Sequence, residues 1–415
     1  MVEPSETVDS RGPRLRIGYL VPQFPGQTHV FFWRELKALE AMGHEVTVFS
    51  TRTPPPGLIS HDWSQEAIAR TTYLGKADAE AALSAFVRLL PKGLPGWMRR
   101  EGMRFSKDVL ITLSAAQQVL RHCREKGIDH VHAHSCGRAA LIAALAQKMG
   151  GPTWSMTLHG PLSDYGSGQR FKWSNAGFAT VITQKLLDEM RRDLPNDLPD
   201  RVVIRPMGVD TDALVRSQPY EPVRRGTPMR IFACGRLNIV KGHQDLMTAV
   251  RKLLDQGVDV RLEIAGEDDD GGDGYRKELQ GHLKNLRLQD HVKLLGAIDG
   301  TAVRDKLLNA HVFVLASWHE PLGVAYMEAM SCEVPTIGTA SGGVKELISD
   351  GDNGLLVPPR DPDALAAAIK RLSGDPDLAM RLSRVGRQHI VRNFRSSLGA
   401  ETLVDEILRL KSAAE

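Results

Sequence analysis

The sequence predicts an α/β protein of two domains, each built on a parallel β-sheet covered by helices. Strand, loop and helix patterns alternate along the first half of the 415 residues. The alternation stops at a polar segment with three prolines, at 216–228, and starts again after it. Apolar runs that end in glycine or polar residues and lead into a helical pattern are typical of βαβ units. A chain of this length corresponds to two or three domains of roughly 150 residues each.

The composition excludes several classes of function. The formal net charge is +3 and aromatic residues make up 6% of the chain, so we expect no nucleic-acid partner. The four cysteines lack C-x-x-C spacing and fit reduced core thiols. Residues 1–13 are polar and predict a disordered leader without the apolar run of a signal peptide. No apolar run reaches about 18 residues, so any membrane contact is expected to be peripheral.

The first half begins with a βαβ unit. A strand at 15–21 precedes a proline- and glycine-bearing loop, a helix at about 30–42 and a strand at 45–50. The loop lacks G-x-G-x-x-G, so the dehydrogenase fingerprint is absent. After a loop-rich stretch at 51–75, helical patterns cover 78–125 in two pieces, and the remaining strands are predicted at 128–134, 153–158, 180–183 and 202–205, with a helix at 138–149.

Residues 86–107 mix basic with large apolar side chains. This composition is typical of an amphipathic patch that lies on an anionic membrane. It also fits an ordinary solvated helix face on which long basic side chains cover apolar surface. The sequence leaves both interpretations open.

Histidines lie at alternate positions of the strand at 128–134. His130, His132 and His134 therefore share one face of the strand. A strand face is too extended for three adjacent ligands of one ion, so we predict no metal site. His134 and His159 each lie at the carboxyl end of a predicted parallel strand, which is the usual place for a ligand contact. We expect both to face a cleft, although a single histidine at such a position could equally be structural.

The second half repeats the alternation. Strands are predicted at 229–233, 259–265, 292–295, 312–316 and 334–337, and helices at 243–254, 275–285, 304–309, 363–372, 379–393 and 398–411. The last helix is long enough to reach back across a domain boundary. The aspartate-rich run at 267–273 lacks the full twelve-residue pattern of a calcium loop and predicts a solvated loop.

Candidate binding groups collect at strand ends in this half. Arg236 and Lys241 follow the strand at 229–233 and can reach a diphosphate. A helix begins after the run at 312–316, and its first backbone N–H groups favour an anion. These groups belong to Gly323, Val324 and Ala325.

Two glutamates bracket the start of that helix. Glu328 lies on it, where its carboxylate can accept hydrogen bonds from both ribose hydroxyls of a nucleotide. Glu320 precedes it and faces the other end of the ligand.

Together these motifs resemble the GT4 family of retaining glycosyltransferases with the GT-B fold, and in particular its bacterial exopolysaccharide and cell-surface polysaccharide enzymes. The matching segments are G-R-L…K-G at 235–242, E-x7-E at 320–328, G-G-x-x-E at 342–346 and D-G-x-N-G-x-L-V at 350–357. Weaker counterparts in the first half are H-A-H at 132–134, L-H-G at 158–160 and G-V-D at 208–210. The resemblance spans nearly the whole chain.

The resemblance implies an architecture of two Rossmann-like domains that face a deep cleft. It implies an acceptor-binding domain at 1–215, a nucleotide-sugar domain at 216–390 and a helix at 391–415 that returns to the first domain. It also implies a metal-independent, retaining hexosyltransferase without a cofactor. The expected donor is a UDP-sugar, chosen only because UDP is a frequent donor nucleotide in such enzymes.

The same resemblance implies roles for individual residues. Glu320 and His159 would act on the donor sugar, Arg236 and Lys241 would neutralise the leaving diphosphate, and Glu328 would hold the ribose. Gly26, in the first glycine loop, would let the diphosphate and the acceptor come close, and His134 would belong to the acceptor side of the cleft.

Three positions depart from the family pattern. The loop at 25–29 reads P-G-Q-T-H, so its acceptor contacts stay open. Gln184 stands where a Ser-Glu pair usually starts, and Trp318-His319 precedes Glu320 where a small or acidic residue is common, which is expected to alter the sugar pocket.

The function expected from the sequence is transfer of a sugar to a lipid-linked or polysaccharide acceptor in bacterial cell-surface glycan synthesis. The expected location is the cytoplasm, with peripheral contact at the inner face of the plasma membrane through 86–107. A soluble transferase with a small acceptor and a non-catalytic partner subunit that binds sugar nucleotides are the alternatives. An epimerase would need further acid–base carboxylates in the cleft, which the sequence does not identify.

Overall fold

The structure is a computed structural model, and it describes residues 13–26, 30–54, 63–75, 78–268 and 274–413. Most of the leader predicted at 1–13, part of the loop at 25–29 and most of the aspartate-rich run lie outside the described residues. Within them, no helix is both long and apolar enough to cross a bilayer.

The first domain is built on a parallel sheet, which has seven strands among the described residues, in the order β3-β2-β1-β4-β5-β6-β7. The strands are β1 (Arg16–Val21), β2 (Glu45–Ser50), β3 (Thr71–Tyr73), β4 (His130–His134), β5 (Thr153–Leu158), β6 (Phe178–Val181) and β7 (Val202–Ile204). Strands β1, β4, β5 and β6 are buried along nearly their whole length, as expected when helices cover both faces of the sheet. The short edge strand β3 falls in the stretch at 51–75, for which the sequence predicts only loop.

Eight α-helices of the described chain belong to this domain. They are α1 (Val30–Ala41), α2 (Ser64–Arg70), α3 (Ala79–Leu89), α4 (Leu94–Glu101), α5 (Met103–Lys126), α6 (Arg138–Lys148), α7 (Gln169–Ser174) and α8 (Gln184–Asp193). Asp78 begins α3 by accepting a hydrogen bond from the backbone N–H of Ala81, and Thr183 caps α8 in the same way. The sequence predicts two helical pieces at 78–125, whereas the structure has three α-helices there, because Gly102 separates α4 from α5.

The second domain repeats the parallel arrangement with six described strands in the order β10-β9-β8-β11-β12-β13. The strands are β8 (Met229–Cys234), β9 (Val260–Ala265), β10 (Val292–Gly296), β11 (Val312–Val314), β12 (Thr336–Thr339) and β13 (Leu355–Val357). The helices are α9 (His243–Asp255), α10 (Tyr275–Asn285), α11 (Gly300–Asn309), α12 (Val324–Ser331), α13 (Val344–Leu347), α14 (Pro362–Gly374), α15 (Pro376–Asn393) and α16 (Ser396–Ser412). The prediction of two Rossmann-like α/β domains is confirmed.

The chain returns to the first domain at its end. Helix α16 packs on α1, where Leu403, Val404 and Ile407 join an apolar cluster with Leu36 and Leu39. The return passes beside the connection between the sheets, because Val209 pairs with Arg395 in a parallel bridge. The backbone of Gly208 lies directly against that of Arg395. The two domains are therefore joined by two adjacent chain crossings.

The basic and apolar segment at 86–107 does not form one continuous surface patch, because several of its apolar side chains are buried. Leu89, Leu94 and Phe105 are fully buried, since α3, α4 and α5 pack on one another and Phe105 lies against Phe171. These side chains are thus unavailable to a membrane. The outward apolar side chains on α3, on the 3₁₀ turn after it and on α5 are Leu83, Val87, Leu90, Met103, Leu110 and Ile111.

Candidate active site

A cleft of about 770 Å³ lies between the carboxyl ends of the two sheets. His159 and Ile182 reach it from the ends of β5 and β6, and Cys234 and Gly266 reach it from β8 and β9. Ligands of open α/β sheets bind at such strand ends. The cleft therefore has one wall from each domain.

Eight of the ten site residues predicted from the sequence line this cleft: His159, Arg236, Lys241, Glu320, Gly323, Val324, Ala325 and Glu328. Gly26 is buried and is not part of the lining. His134, expected to face the cleft, is fully buried instead, because its ring lies behind that of His159. The chemical roles of all ten remain predictions.

Glu320 is 8% exposed and is held by charge. Its Oε2 atom lies 2.6 Å from Nζ of Lys241, and the Ser317 hydroxyl donates to the same oxygen over 3.3 Å. Lys241 ends a short 3₁₀ turn, Ile239–Lys241, which Asn238 caps. A strand-end lysine and a carboxylate before a helix thus meet in one ion pair at the cleft.

A glycine turn fixes the backbone of Glu320. The N–H of Gly343 donates to the carbonyl of Glu320 over 3.0 Å. Gly342 has a φ of +61°, and a Cβ atom placed there would lie 1.9 Å from the same carbonyl oxygen. Only glycine permits this approach. The turn after β12 therefore fixes the position of the Glu320 backbone beside the cleft.

Trp318 is turned away from the cleft and is not part of its lining. Its indole N–H donates to Asp245 over 2.6 Å, and the guanidinium of Arg360 lies 4.0 Å from the ring centroid. Its backbone N–H donates to the carbonyl of Val240, over 2.7 Å. The unusual tryptophan braces the loop that carries Lys241. The position of Trp318 outside the lining gives no support to the expectation that this residue alters the sugar pocket.

Glu328 contacts the opposite wall. Its Oε1 atom accepts a hydrogen bond over 2.8 Å from Nη2 of Arg34, which lies on α1. Both side chains are mostly buried, at 15% and 16% exposure. Cys234 lies nearby with its thiol protonated, because burial and the Glu328 charge raise its pKa to about 12. The carboxylate predicted to hold ribose is thus paired with an arginine from the other domain.

A second pair of contacts joins the domains beside the cleft. The carboxylate of Glu346, in the G-G-x-x-E motif, accepts hydrogen bonds from the backbone N–H groups of Gln184 and Lys185, over 2.6 and 2.9 Å. Gln184 opens α8, so the negative charge lies at the positive end of that helix. This motif therefore links the two walls.

The first-domain wall hides a chain of buried polar groups behind His159. Nε2 of His159 lies 3.2 Å from Nδ1 of His134, whose Nε2 lies 3.1 Å from Oε2 of Glu35. The Tyr19 hydroxyl donates to the same carboxylate oxygen over 2.6 Å. Burial raises the pKa of Glu35. The nearby His132 and the hydrogen bond from the Tyr19 hydroxyl lower that pKa and partly offset the effect of burial. Burial also raises the pKa of Tyr19 well above its ordinary value.

The other two strand histidines form a ladder with β5. His130 binds Thr153 and Ser155, and His132 binds Ser155 and Thr157, at 2.7 to 2.9 Å. Burial lowers the pKa of His130 to about 3 and that of His132 well below its ordinary value. Both rings are neutral at physiological pH.

Glu35, His132 and His134 offer ligand atoms within 4.8 Å of one another, which is close enough for a metal ion. Each of them already has a protein partner: Tyr19 for Glu35, Ser155 and Thr157 for His132, and His159 for His134. A metal would have to break several of these bonds. The prediction that the protein holds no metal stays a prediction.

The sequence-based search missed Arg34, Glu35 and Tyr19. A usable signal existed for Glu35, because it occupies the buried stripe of α1 together with Phe32, Leu36 and Leu39. A charged residue at such a position needs a buried partner. No local signal identifies Arg34, whose partner Glu328 lies 294 residues further along the chain.

Two family models match the chain. The model described as "Glycosyl transferases group 1" covers residues 218–389. The model described as "Glycosyl transferase 4-like domain" covers residues 28–208. One match falls on each wall of the cleft.

Relatives of this chain include two bacterial proteins. It is 24% identical over 411 residues to a putative colanic acid biosynthesis glycosyltransferase, WcaL, of Salmonella typhimurium, with 92% of this chain and 96% of the relative covered. It is 27% identical over 318 residues to N-acetyl-alpha-D-glucosaminyl L-malate synthase of Bacillus anthracis, with 72% and 80% covered.

Solved structures share the two-domain fold. HepE of Anabaena in complex with UDP and glucose superposes with a TM-score of 0.73 at 16% identity, over 95% of this chain and all of the other. At this identity the likeness establishes the fold alone.

Proposed function

Because the chain belongs to the glycosyl transferases group 1 family and is a glycosyltransferase, we propose that it moves a hexose from a nucleoside-diphosphate sugar to a lipid-linked or polysaccharide acceptor, with retention of configuration. The acceptor would belong to bacterial cell-surface glycan synthesis, in keeping with the similarity to WcaL. The observation that carries the proposal is the meeting of Glu320, Lys241, Glu328 and His159 in one cleft between the domains.

The second-domain wall would hold the nucleotide. Glu328 would accept hydrogen bonds from the ribose, and the base would lie near 296–298, of which Ala297 and Ile298 line the cleft. The start of α12 and the cations of Arg236 and Lys241 would receive the diphosphate. UDP is the first nucleotide to test, since it is bound in the solved structure of HepE.

The reaction would proceed by departure of the diphosphate from the anomeric carbon. The bond from that carbon to the phosphate oxygen breaks as the acceptor oxygen bonds to the same face of the sugar, and the acceptor proton passes to the departing phosphate oxygen. Preorganised N–H groups and cations stabilise the charge on the leaving group, which is the largest charge to develop. No metal ion is needed in this scheme, because Arg236 and Lys241 supply the positive charge.

Glu320 would act on the sugar. Its carboxylate is held at the cleft by Lys241 and Ser317, which supports a role in binding sugar hydroxyls and in stabilising positive charge at the anomeric carbon. His159 would approach the sugar from the opposite wall.

Release of nucleoside diphosphate from a panel of nucleotide sugars tests the proposal. We expect the wild type to hydrolyse at least one donor slowly without an acceptor. Glu320→Gln should lower that rate by about 10² to 10³, the usual loss when one charge-stabilising group is removed. Glu278→Gln, an exposed glutamate on α10, is the matched control and should behave as the wild type.

Equal release by wild type and Glu320→Gln would remove Glu320 from the mechanism. Binding of a nucleotide sugar without any release would favour the non-catalytic alternative. The anomeric configuration of a transferred sugar, read by NMR, decides whether configuration is retained.

The acceptor side of the proposal includes a membrane surface. The outward apolar side chains Leu83, Val87, Leu90, Met103, Leu110 and Ile111 define the α3–α5 face. The start of α3 lies beside the middle of α5, because the N–H of Asp78 donates to the Ser114 hydroxyl. Exposed basic residues accompany this face: Arg88, Lys92, Arg99, Arg104 and Lys107. Apolar side chains with a basic surround suit an anionic lipid surface.

Vesicle sedimentation tests this part. The protein should bind vesicles that contain phosphatidylglycerol at low salt and should bind phosphatidylcholine vesicles weakly. A Val87→Asp/Met103→Asp double variant should lose binding to the anionic vesicles. Met380→Asp, at an exposed apolar position of α15 in the other domain, is the control. If the wild type ignores anionic vesicles at low salt, the membrane part of the proposal is wrong.

A small-molecule acceptor is the second candidate, favoured by the similarity to N-acetyl-alpha-D-glucosaminyl L-malate synthase of Bacillus anthracis. It predicts transfer to a water-soluble acceptor without lipid and the same rate for the Val87→Asp/Met103→Asp variant.

A further inference from the structure

We propose that Glu35 is a positioning residue that acts through His134 to fix the ring orientation and tautomer of His159. The inference rests on the proposed function, because the orientation of His159 matters only if the cleft holds a donor sugar. Glu35 touches neither cleft nor substrate, and nothing in the sequence motifs assigns it a role.

The geometry forms a continuous chain from the core to the cleft. The Glu35 carboxylate on α1 lies 3.1 Å from Nε2 of His134 on β4. Nδ1 of His134 lies 3.2 Å from Nε2 of His159, which lines the cleft after β5. His134 therefore presents Nε2 to the core and Nδ1 to His159, and His159 presents Nε2 to His134. The two rings are nearly parallel, with an interplanar angle of 24°.

The surrounding fold is shaped for a carboxylate at position 35. Glu35 is 5% exposed, so its charge loses most of its hydration and needs compensating bonds. Tyr19 supplies one by donating to Oε2. The other oxygen faces α16, where a Cβ atom on Gly399 would lie 2.8 Å from Oε1. Three separate elements, β1, β4 and α16, therefore accommodate this one side chain.

The order of partners determines where the protons lie. The Glu35 carboxylate accepts a hydrogen bond from Tyr19. Nε2 of His134 lies 3.1 Å from the same oxygen without an aligned hydrogen bond, and the negative charge there favours the proton of His134 on Nε2. Nδ1 of His134 then carries a lone pair and accepts from the Nε2–H of His159. His159 is left with an unprotonated Nδ1 and a ring held in one plane. A histidine oriented in this way by a buried carboxylate is a recurrent device for holding one tautomer.

Aromatic contacts restrict the same ring. Phe31 and Phe32 of α1 have ring centroids 5.4 and 5.7 Å from that of His159. Phe32 also lies 4.5 Å from the ring of His134. Packing limits the tilt of the ring, and the hydrogen bond to His134 decides which edge of His159 points inward.

Histidine NMR on the full-length protein tests the inference without substrate. Selective ¹⁵N labelling and long-range ¹H–¹⁵N spectra report the tautomer of each ring, and the His134→Asn and His159→Asn variants assign the signals. In the wild type we expect His134 and His159 both to be protonated at Nε2 and bare at Nδ1. The opposite tautomers in both rings would place the proton on Glu35 and would overturn the inference.

The Glu35→Gln variant removes the charge at nearly constant volume. We expect a second tautomer of His159 to appear, and turnover to fall about 10- to 100-fold with the KM for the donor within twofold, the usual loss when an orienting partner is removed. Thr153→Val, which breaks only the outer contact of His130, should leave His159 and turnover unchanged.

Outcomes for the two proposals are separable. An unchanged His159 spectrum in Glu35→Gln overturns the positioning role even when turnover falls, because a merely structural loss lowers activity without moving the tautomer. Absence of turnover by the wild type with every nucleotide sugar counts against the proposed function, and the wild-type tautomers still decide the inference. Those tautomers also decide it if Glu35→Gln does not fold.

Discussion

The two walls of the cleft are built in opposite ways. The second-domain wall lines the cleft with charged side chains: Lys241 and Glu320, which pair with each other and precede helix starts, and Glu328 on α12, which pairs with Arg34 from across the cleft. The first-domain wall presents His159 and Arg34 to the cleft and keeps a further set of ionisable groups, among them Glu35 and His134, in the core. Surface charges and backbone N–H groups suit the binding of an anion, whereas a buried chain suits the holding of one ring.

This difference suggests a division of labour. The second wall would bind the nucleotide and diphosphate, and the first would act on the sugar and the acceptor. It also predicts that substitutions in the two walls act in different ways. Those in the second wall should disturb the geometry of loops, and those in the first should disturb the protonation of buried groups.

The largest effect is expected from Gly342→Ala, in the loop that sets Glu320. The new Cβ atom would lie 1.9 Å from the Glu320 carbonyl oxygen, at a φ of +61°. We expect the free energy of unfolding to drop by about 3 kcal/mol, from overpacking and backbone strain together. Urea unfolding measures the loss.

Gly351→Ala is the matched control for that variant. Its φ is +76°, but a Cβ atom there meets nothing within 4 Å. It should cost only the left-handed strain of about 1 kcal/mol. Equal losses for the two variants would show that close packing of the turn on Glu320 contributes nothing.

The next effect is an acid sensitivity of the first wall. The pKa of His130 is about 3 in the folded protein and about 6.5 in an unfolded chain. The unfolded chain binds the proton first, so this contribution to stability is complete above pH 6.5 and is lost as the pH falls below it. Between pH 7 and pH 5 the free energy of unfolding should fall by about 2 kcal/mol from His130 alone.

Urea unfolding of the wild type and His130→Asn at both pH values measures that contribution. The drop between pH 7 and pH 5 should be about 2 kcal/mol smaller in the variant. His319→Asn, at an exposed position, should keep the wild-type pH dependence. The same drop in wild type and His130→Asn would mean that His130 accepts a proton in the folded state.

The smallest effect concerns the ion pair that joins the walls. Ribose would compete with Arg34 for Glu328, so Arg34→Met should raise the affinity for UDP by a few-fold, about 1 kcal/mol for a partly buried pair. Lys37→Met, an exposed lysine on the same helix, should leave UDP affinity unchanged. Isothermal titration with UDP measures both. Weaker UDP binding by Arg34→Met would instead assign its guanidinium to the diphosphate.

The contrast between the walls also explains what the sequence predicts. The second wall lies in short motifs, since Arg236 and Lys241 sit five positions apart and Glu320 and Glu328 eight apart. The first wall is assembled from Tyr19 on β1, Glu35 on α1, His134 on β4 and His159 just after β5, and the three strands are neighbours only in the folded sheet. Local spacing reveals the former and is silent on the latter.

The predicted fold was confirmed because strand and helix periodicities are strong in long elements. The short elements β3, β13, α2 and α7 were missed, since three to seven residues carry little periodicity. The ten-residue helix α8 was missed as well. The burial of Leu89, Leu94 and Phe105 could not be predicted from composition, because it depends on how α3, α4 and α5 pack.

The most direct test of the division of labour is a paired measurement of UDP affinity and donor turnover in Glu328→Gln and His159→Asn. We predict that Glu328→Gln weakens UDP binding about tenfold, the loss of about 1.4 kcal/mol from hydrogen bonds to a charged group. His159→Asn should leave UDP affinity within twofold and lower turnover about 10²-fold. UDP binding weakened equally by both substitutions would contradict the account, because it would place His159 in the nucleotide grip rather than at the sugar.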